Sequence, residues 1–459
     1  MPITSSGYRT AVRLGVALAP ILGKLSPKFR AGALARQEAG DRLLDWARWN
    51  RDATRPVAWF HAASVGEGLQ AQSVLLQFRQ LQPTCQIVFT HFSPSAEALA
   101  RRIEADVADY LPYDLPEPMD RLLAELEPNL LVFAKLDVWP ELATRAALSG
   151  CDVAIVAATV SPGSGRLRWP ARGFLEPGYQ AITRAAAIAP ADALRLERLG
   201  VARDRIQVLG DPRFDSVRDR VGAVQADEPL LRWGRGAPTL VAGSTWPADD
   251  VVLLQAFALL RQRRPDARLI VVPHEPTAEH LANLEEAARA AGLPAPLRLS
   301  AADGPAPLLA VDRVGVLATL YGAGSMAFVG GGFGRAGLHS VLEPAAWGLP
   351  VAFGPRWRNS RDAGLLLEAG AAVALPRSHR ASGVMADQWA GWIEDEHGRK
   401  AQGRRGRELV EQNLGASARS AAMLAELISA RPLRTSQPAA QSGPRSAPSP
   451  THHSSGSEP

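Results

Sequence analysis

The sequence predicts an α/β protein made of two doubly wound parallel sheets that face each other across a cleft. Three observations carry that expectation. Short, almost continuously apolar runs alternate with longer helical ones, the pattern of strands covered on both faces by helices. The alternation runs twice, restarting after "LGDPRFDSV" at 209–217. A chain of 459 residues also exceeds what one hydrophobic core usually serves.

Taken in order, the chain opens on a basic segment, residues 1–50, in which Arg9, Arg13, Lys24, Lys28, Arg30 and Arg36 precede the first carboxylate, Glu38. It encloses "LGVALAPILGKL" at 14–25, shorter than the roughly 20 apolar residues of a membrane-spanning helix. Pro20 interrupts it, and no convincing cleavage site follows, so neither a span nor a signal peptide is read. A basic, partly apolar terminal helix suits the headgroup region of an anionic membrane. Nucleic acid is disfavoured as a partner, because the basic residues are not interleaved with stacking aromatics.

Residues 51–212 form the first domain, with strands at 57–64, 86–92, 130–136, 151–159 and 185–190. Helices are expected between them at 68–82, 95–105, 117–127 and 140–149. A linker, 213–236, leads to the second domain, 237–430. Its strands are expected at 238–245, 267–275, 314–319, 326–332 and 349–355, its helices at 247–263 and 277–292, and a last helix at about 400–428 could pack back on either domain. From 431 to 459 the Pro/Ser-rich composition lacks an apolar period and predicts a disordered tail. Apolar content of 46% with 21% charge is that of a globular protein. Cys85 and Cys151 are too few for a disulfide framework or a thiolate cluster.

Ligands of such sheets collect beyond the carboxyl ends of the strands. Three places there carry chemistry. In "HAASVGE" (61–67), Glu67 stands where a buried strand gives way to a helix. It either caps the first helical turn or works as a base. In "AGSTWPADD" (242–250), Ser244 and Pro247 mark a helix start that suits a phosphate, or a plain capped helix. In "FVGGGFGRAGLHSVLEPAAWGLPVAFGP" (328–355), the glycines permit close backbone approach, and Glu343 inside the next helix wants a partner such as ribose hydroxyls. The G-x-G-x-x-G match at Gly332, Gly334 and Gly337 is weak as a dinucleotide fingerprint, lying late in the chain. No Asp-x-Asp triplet occurs, which favours a site without a metal.

With "DVWPEL" (137–142), "GDPRFD" (210–215), "PHEP" (273–276) and "NSRDAGLLLEAGAA" (359–372), these motifs stand in the order of the bacterial 3-deoxy-D-manno-octulosonic acid (Kdo) transferases, which the chain resembles from about residue 10 to 428. The resemblance implies a GT-B fold of two Rossmann-like domains with an N-terminal membrane-associated helix. It implies an inverting, metal-independent enzyme without a cofactor, at the cytoplasmic face of the inner membrane. CMP-Kdo would be its donor and a lipid A precursor its acceptor.

By the same matching Glu67 would be the general base. Ser64, Lys135 and Asp137 would lie on the acceptor side, with capping of the helix near Pro140 as the alternative for Asp137. Gly331, Gly332, His339 and Glu343 would hold the CMP moiety, and Ser244, His274 and Glu275 would face the phosphate and sugar. Asn359 and Arg361 would flank the donor, Arg361 either pairing with its carboxylate or forming an interdomain salt bridge. The chain departs from the family at "GLHS", where Ser340 replaces an Asn, at "AATVSPGSGRLR", and at "KLDVWP", which has one acidic residue instead of two. These departures bear on the acceptor and the exact sugar acid. The competing readings are a nucleotide-sugar epimerase or hydrolase of the same architecture and a catalytically silent binding protein.

Overall fold

The structure, a computed structural model, describes residues 4–25 and 27–430; the expected tail at 431–459 and the side chains of Lys24 and Lys28 lie outside the described residues. The chain begins with a helical hairpin, α1 (Ser6–Leu25) and α2 (Pro27–Trp49). The first domain then alternates β1 (Val57–His61), α3 (Val65–Leu81), β2 (Gln86–His91), α4 (Glu97–Ala100), β3 (Val107–Tyr110), α5 (Pro116–Leu126) and β4 (Leu130–Ala134). It continues with α6 (Pro140–Leu148), β5 (Asp152–Ala158), α7 (Ala171–Gln180), β6 (Arg184–Ala187), α8 (Pro190–Leu199) and β7 (Ile206–Val208). All pairings are parallel, in the order β3-β2-β1-β4-β5-β6-β7. The order reverses between β1 and β4, so the loops leaving those two strands flank the natural crevice. The first of these loops leads into Glu67 and the second holds Lys135 and Asp137.

Helix α9 (Pro212–Gly222) crosses to the second domain, which contains β8 (Thr239–Thr245), α10 (Pro247–Arg263), β9 (Arg268–Pro273), α11 (Ala278–Ala290), β10 (Leu297–Arg298) and β11 (Leu308–Ala310). It goes on with α12 (Leu317–Leu320), β12 (Met326–Val329), α13 (Leu342–Ala346), β13 (Val351–Phe353), α14 (Arg361–Glu368), β14 (Ala372–Ala374), α15 (Ala381–Glu394) and α16 (Glu396–Gln412). This sheet is also parallel, ordered β10-β11-β9-β8-β12-β13-β14, with its reversal between β8 and β12. Ser244 and the glycine loop 330–337 leave those two strands. Two sheets of one design thus bring two switch-point crevices face to face, as a GT-B fold requires.

The strand expected at 314–319 is absent; α12 occupies part of it, and the strand lies earlier, at β11. Val314 is 76% exposed, so that run never enters the sheet, whereas Leu308 and Leu309 are buried. The single helix expected at 400–428 is two, parted at Gly415, whose φ of +89° breaks the helical ladder. The later one, α17 (Ala416–Ser429), does not stay with the second domain. Its Ala421, Met423, Leu424 and Ile428 join Val74, Leu75 and Phe78 of α3 in one buried cluster of the first domain. Asp215 in α9 accepts from Gly415 N–H at 2.6 Å and Ser417 N–H at 2.7 Å, so both chain crossings between domains are tied together.

The basic N-terminal segment is only partly a free surface. Arg9 forks onto the buried carboxylate of Glu141 through two contacts of 3.0 Å, and Tyr8 Oη donates to Asp114 at 2.7 Å. Arg36 lies buried with its guanidinium 3.7 Å from the Phe92 ring centroid. Beyond Arg9 the first helix exposes Leu14, Leu18 and Ile21, which share one face at helical spacing. Among the described residues no helix is long and apolar enough to cross a membrane.

Candidate active site

Glu67 is the third residue of α3, and its two carboxylate oxygens have different surroundings. Its Oε2 accepts from the Ser64 N–H at 3.1 Å and the Ser64 hydroxyl at 3.0 Å, so one oxygen caps the helix. Oε1 lies 3.9 Å from Lys135 Nζ, and no cap occupies it. Burial pushes the carboxyl above its ordinary range, the nearby Asp137 charge adds to this, and Lys135 and the Ser64 hydrogen bonds oppose it. The carboxylate is thus held by one oxygen and leaves the other without a cap.

Lys135 follows β4 with φ of +63°, a left-handed value rare outside glycine. Ser244 at the end of β8 has φ of +52°. Backbone strain thus falls at the carboxyl ends of both central strands, where functional loops are over-determined by their surroundings. Asp137 does not cap the helix after Pro140. It pairs with Arg166 at 2.6 Å, and the cap is Asp114, which takes the N–H groups of Glu141 and Leu142 at 2.9 and 2.8 Å. Burial drives Asp114 up to about 6 despite those bonds. Trp139, just after the 135–137 loop, donates its indole N–H to His61 Nε2 at 2.9 Å. Burial holds His61 down to about 3, so its ring stays neutral and that nitrogen remains an acceptor.

Across the gap, Trp246 donates to His339 Nε2 at 2.8 Å, and His339 stacks on His274 with ring centroids 4.3 Å apart. Burial, then His274, holds His339 down to about 4. His274 and Glu275 are exposed at the end of β9. Asn359 and Arg361 line the same cleft as His339 and Lys135, a cavity of about 860 Å³ between the domains. Arg361 makes no salt bridge among the described residues; the interdomain ion pair falls to its neighbour Asp362, 2.8 Å from Arg213. Arg213 also grips Asp211 at 2.6 Å.

The surroundings of the donor-side residues are specific. Gly331 and Gly332 serve the loop's own packing: a Cβ on Gly331, whose φ is +92°, would meet Gly337 O at 1.9 Å, and one on Gly332 would meet Gly354 backbone at 2.7 Å. Glu343 pairs with Arg220 of α9, so its burial is compensated before any ligand arrives. The start of α10 does not present all of its N–H groups. Asp249, its third residue, turns back onto Trp246 N–H at 3.0 Å and also accepts from Gly331 N–H at 2.7 Å and Phe333 N–H at 3.1 Å. That buried carboxylate clamps the glycine loop to the helix. Sequence reading passed over Asp249, although an acid three residues into a proline-led helix is a capping signal. It likewise quoted the motif containing Arg213 without seeing that the arginine joins two acids from distant segments.

Residues 37–216 match the family described as 3-Deoxy-D-manno-octulosonic-acid transferase (kdotransferase). The 3-deoxy-D-manno-octulosonic acid transferase of Haemophilus influenzae is 26% identical over 375 residues, covering 78% of this chain and 84% of that one. The protein of the same name from Bordetella pertussis is 29% identical over 377 residues, with 76% and 84% covered. Among solved structures, UDP-GlcNAc 2-epimerase from Neisseria meningitidis, bound to UDP-GlcNAc, superposes with a TM-score of 0.57 at 11% identity, covering 82% of this chain and 100% of that one. That last likeness is one of fold. A match over residues 37–216, and relatives of one name aligned over 76–78% of the chain, point the same way: the chain is similar to the 3-deoxy-D-manno-octulosonic acid transferases.

Proposed function

We propose that this enzyme transfers Kdo from CMP-Kdo to a hydroxyl of a lipid A precursor in lipopolysaccharide core biosynthesis, with Glu67 as general base. The observation that carries the reading is the half-capped, buried carboxylate of Glu67 at the switch point of the first sheet, with Lys135 beside it. An acceptor hydroxyl attacks the anomeric carbon as Glu67 takes its proton. The bond to the CMP phosphate breaks, and CMP leaves with the electron pair. Direct displacement inverts the anomeric centre. On the donor side His274 and His339 offer stacked rings, Ser244 sits at the strand end, and Asn359 and Arg361 supply donors to anionic groups. The scheme needs no metal. Gly331, Gly332 and Glu343 shape the donor loop from behind, and Ser64 and Asp137 set the environment of Glu67.

Incubating the purified protein with CMP-Kdo and tetraacylated lipid A precursor should add the mass of at least one Kdo to the lipid. CMP release with an unchanged lipid would remove the acceptor from the scheme.

The placement follows from the same reading: the protein works at the cytoplasmic face of the inner membrane, with the apolar face of α1 in the headgroup region and Arg13 and Arg30 near anionic lipid. Support comes from Leu14 at 60% and Ile21 at 58% exposure on a helix whose other end is pinned to the first domain. Changing Leu14, Leu18 and Ile21 together to Asp should cut sedimentation with anionic vesicles at least tenfold while leaving the melting temperature in place. Undiminished vesicle binding would move the membrane contact elsewhere.

A further inference from the structure

Beside the acceptor loop, between α2 and α5, lies a cavity of about 490 Å³ that the scheme above does not use. Leu44, Leu115 and Leu122 line it together with Gly40, Tyr113 and Arg36. Gly40 adds a wall without a side chain. Arg36 is 7% exposed, and its Nε is buried without a hydrogen-bond partner. Leaving such a donor unmatched costs about 1–3 kcal/mol, so the site wants an acceptor atom. Asp41, Glu117, Asp120 and Arg121 also border the cavity, Arg121 lying 3.9 Å from Asp41. With acids and arginines near balance the walls single out no strongly charged guest, and an uncharged, dipolar one suits the leucines and the unmatched donor.

The cavity is also joined to the chemistry. Arg36 donates to the carbonyl of Phe92, whose ring lies 4.8 Å from that of Trp139. The N–H groups of Phe92 and Ser93 donate to Ala63 O at 3.3 and 2.7 Å. Ala63 directly precedes Ser64, which Glu67 caps. A run of contacts through Ser64, Ala63 and Phe92 therefore links Glu67 to the Arg36 wall of this pocket. Helix α2 also packs on α1, the helix with the exposed apolar stripe, and Leu34 is 56% exposed two residues before Arg36.

Resting on the acceptor assignment above, we propose that this cavity seats one acyl chain of the acceptor lipid, with the chain's ester or amide carbonyl accepting from Arg36 Nε. The enzyme then reads its acceptor by the chain as well as by the sugar.

The test compares the full-length wild type with Gly40→Leu, which fills the pocket from a helical position where a Cβ meets only Pro112 at 3.4 Å. Two acceptors are used, the tetraacylated disaccharide and the same disaccharide fully deacylated, together with direct binding of the uncharged methyl ester of 11-(dansylamino)undecanoic acid followed by fluorescence. Gly40→Leu should raise KM for the acylated acceptor at least fivefold, leave both constants for the deacylated one unchanged, and weaken the probe about tenfold. An equal rise for both acceptors, no rise for the acylated one, or unaltered probe affinity overturns the proposal. If the wild type glycosylates neither acceptor, the acceptor assignment falls, and the probe alone decides whether the cavity takes an acyl chain. Arg36→Met, which keeps the length of the side chain and removes the donor, should weaken the acylated acceptor and spare the deacylated one; equal effects on both would count against the proposed carbonyl contact.

Discussion

Replacing Glu67 with Gln is expected to lower kcat by about 10²- to 10⁴-fold, the range typical of losing a positioned general base. Donor affinity should change little. The amide oxygen of Gln can still accept from Ser64, so the cap on α3 and the melting temperature should survive. The pH profile gives an independent reading. A base works ionised, and burial with Asp137 nearby raises the pKa of Glu67 above the usual carboxylate range. Activity should therefore fall, as pH drops, at a higher pH than an ordinary glutamate would cause. Ser64→Ala removes one hydrogen bond that favours the ionised form and should move this limb further up. Steady-state kinetics from pH 5 to 9 would show both effects, and wild-type turnover in Glu67→Gln would leave the carboxylate as nothing more than a cap.

The second large effect is expected at Asp249, through architecture. Asp249→Ala strands the N–H groups of Trp246, Gly331 and Phe333 at once. At about 1–3 kcal/mol for each buried donor left unmatched, with some relaxation, a loss of about 2–4 kcal/mol from the second domain is expected. The freed glycine loop should also weaken CMP-Kdo binding at least tenfold. Asp249→Asn keeps an acceptor oxygen and should recover part of both losses. Thermal denaturation and titration calorimetry with CMP decide the matter, and an unchanged melting temperature in Asp249→Ala would mean the loop is held by other contacts.

The repeating grammar of the fold was legible because its central strands are buried on both faces and read as nearly unbroken apolar runs. Helix α10 was placed at 247–263 by its leading proline and its length. What escaped were edge strands of two to four residues, such as β10 and β14, too short to show any period. Apolar composition alone misled at 314–319, since Val314 faces solvent. At the site, motif order brought Glu67, Lys135, His339, Asn359 and Arg361 to one cleft neighbourhood. It was silent on which polar groups satisfy one another. The partners of Glu343, Asp137 and Asp362 are Arg220, Arg166 and Arg213, each far away in sequence, and no local spacing predicts such pairs.

The return of α17 to the first domain has a consequence for biosynthesis. The amino-terminal lobe leaves the ribosome early, yet Val74, Leu75 and Phe78 lack part of their cover until residues 416–429 emerge. At about 5–20 residues per second, the nearly two hundred intervening residues take roughly 10–40 s to translate. During that interval a nascent lobe carries an uncovered greasy face, an opening for chaperones or for clumping, and the last helix made is the one that closes it.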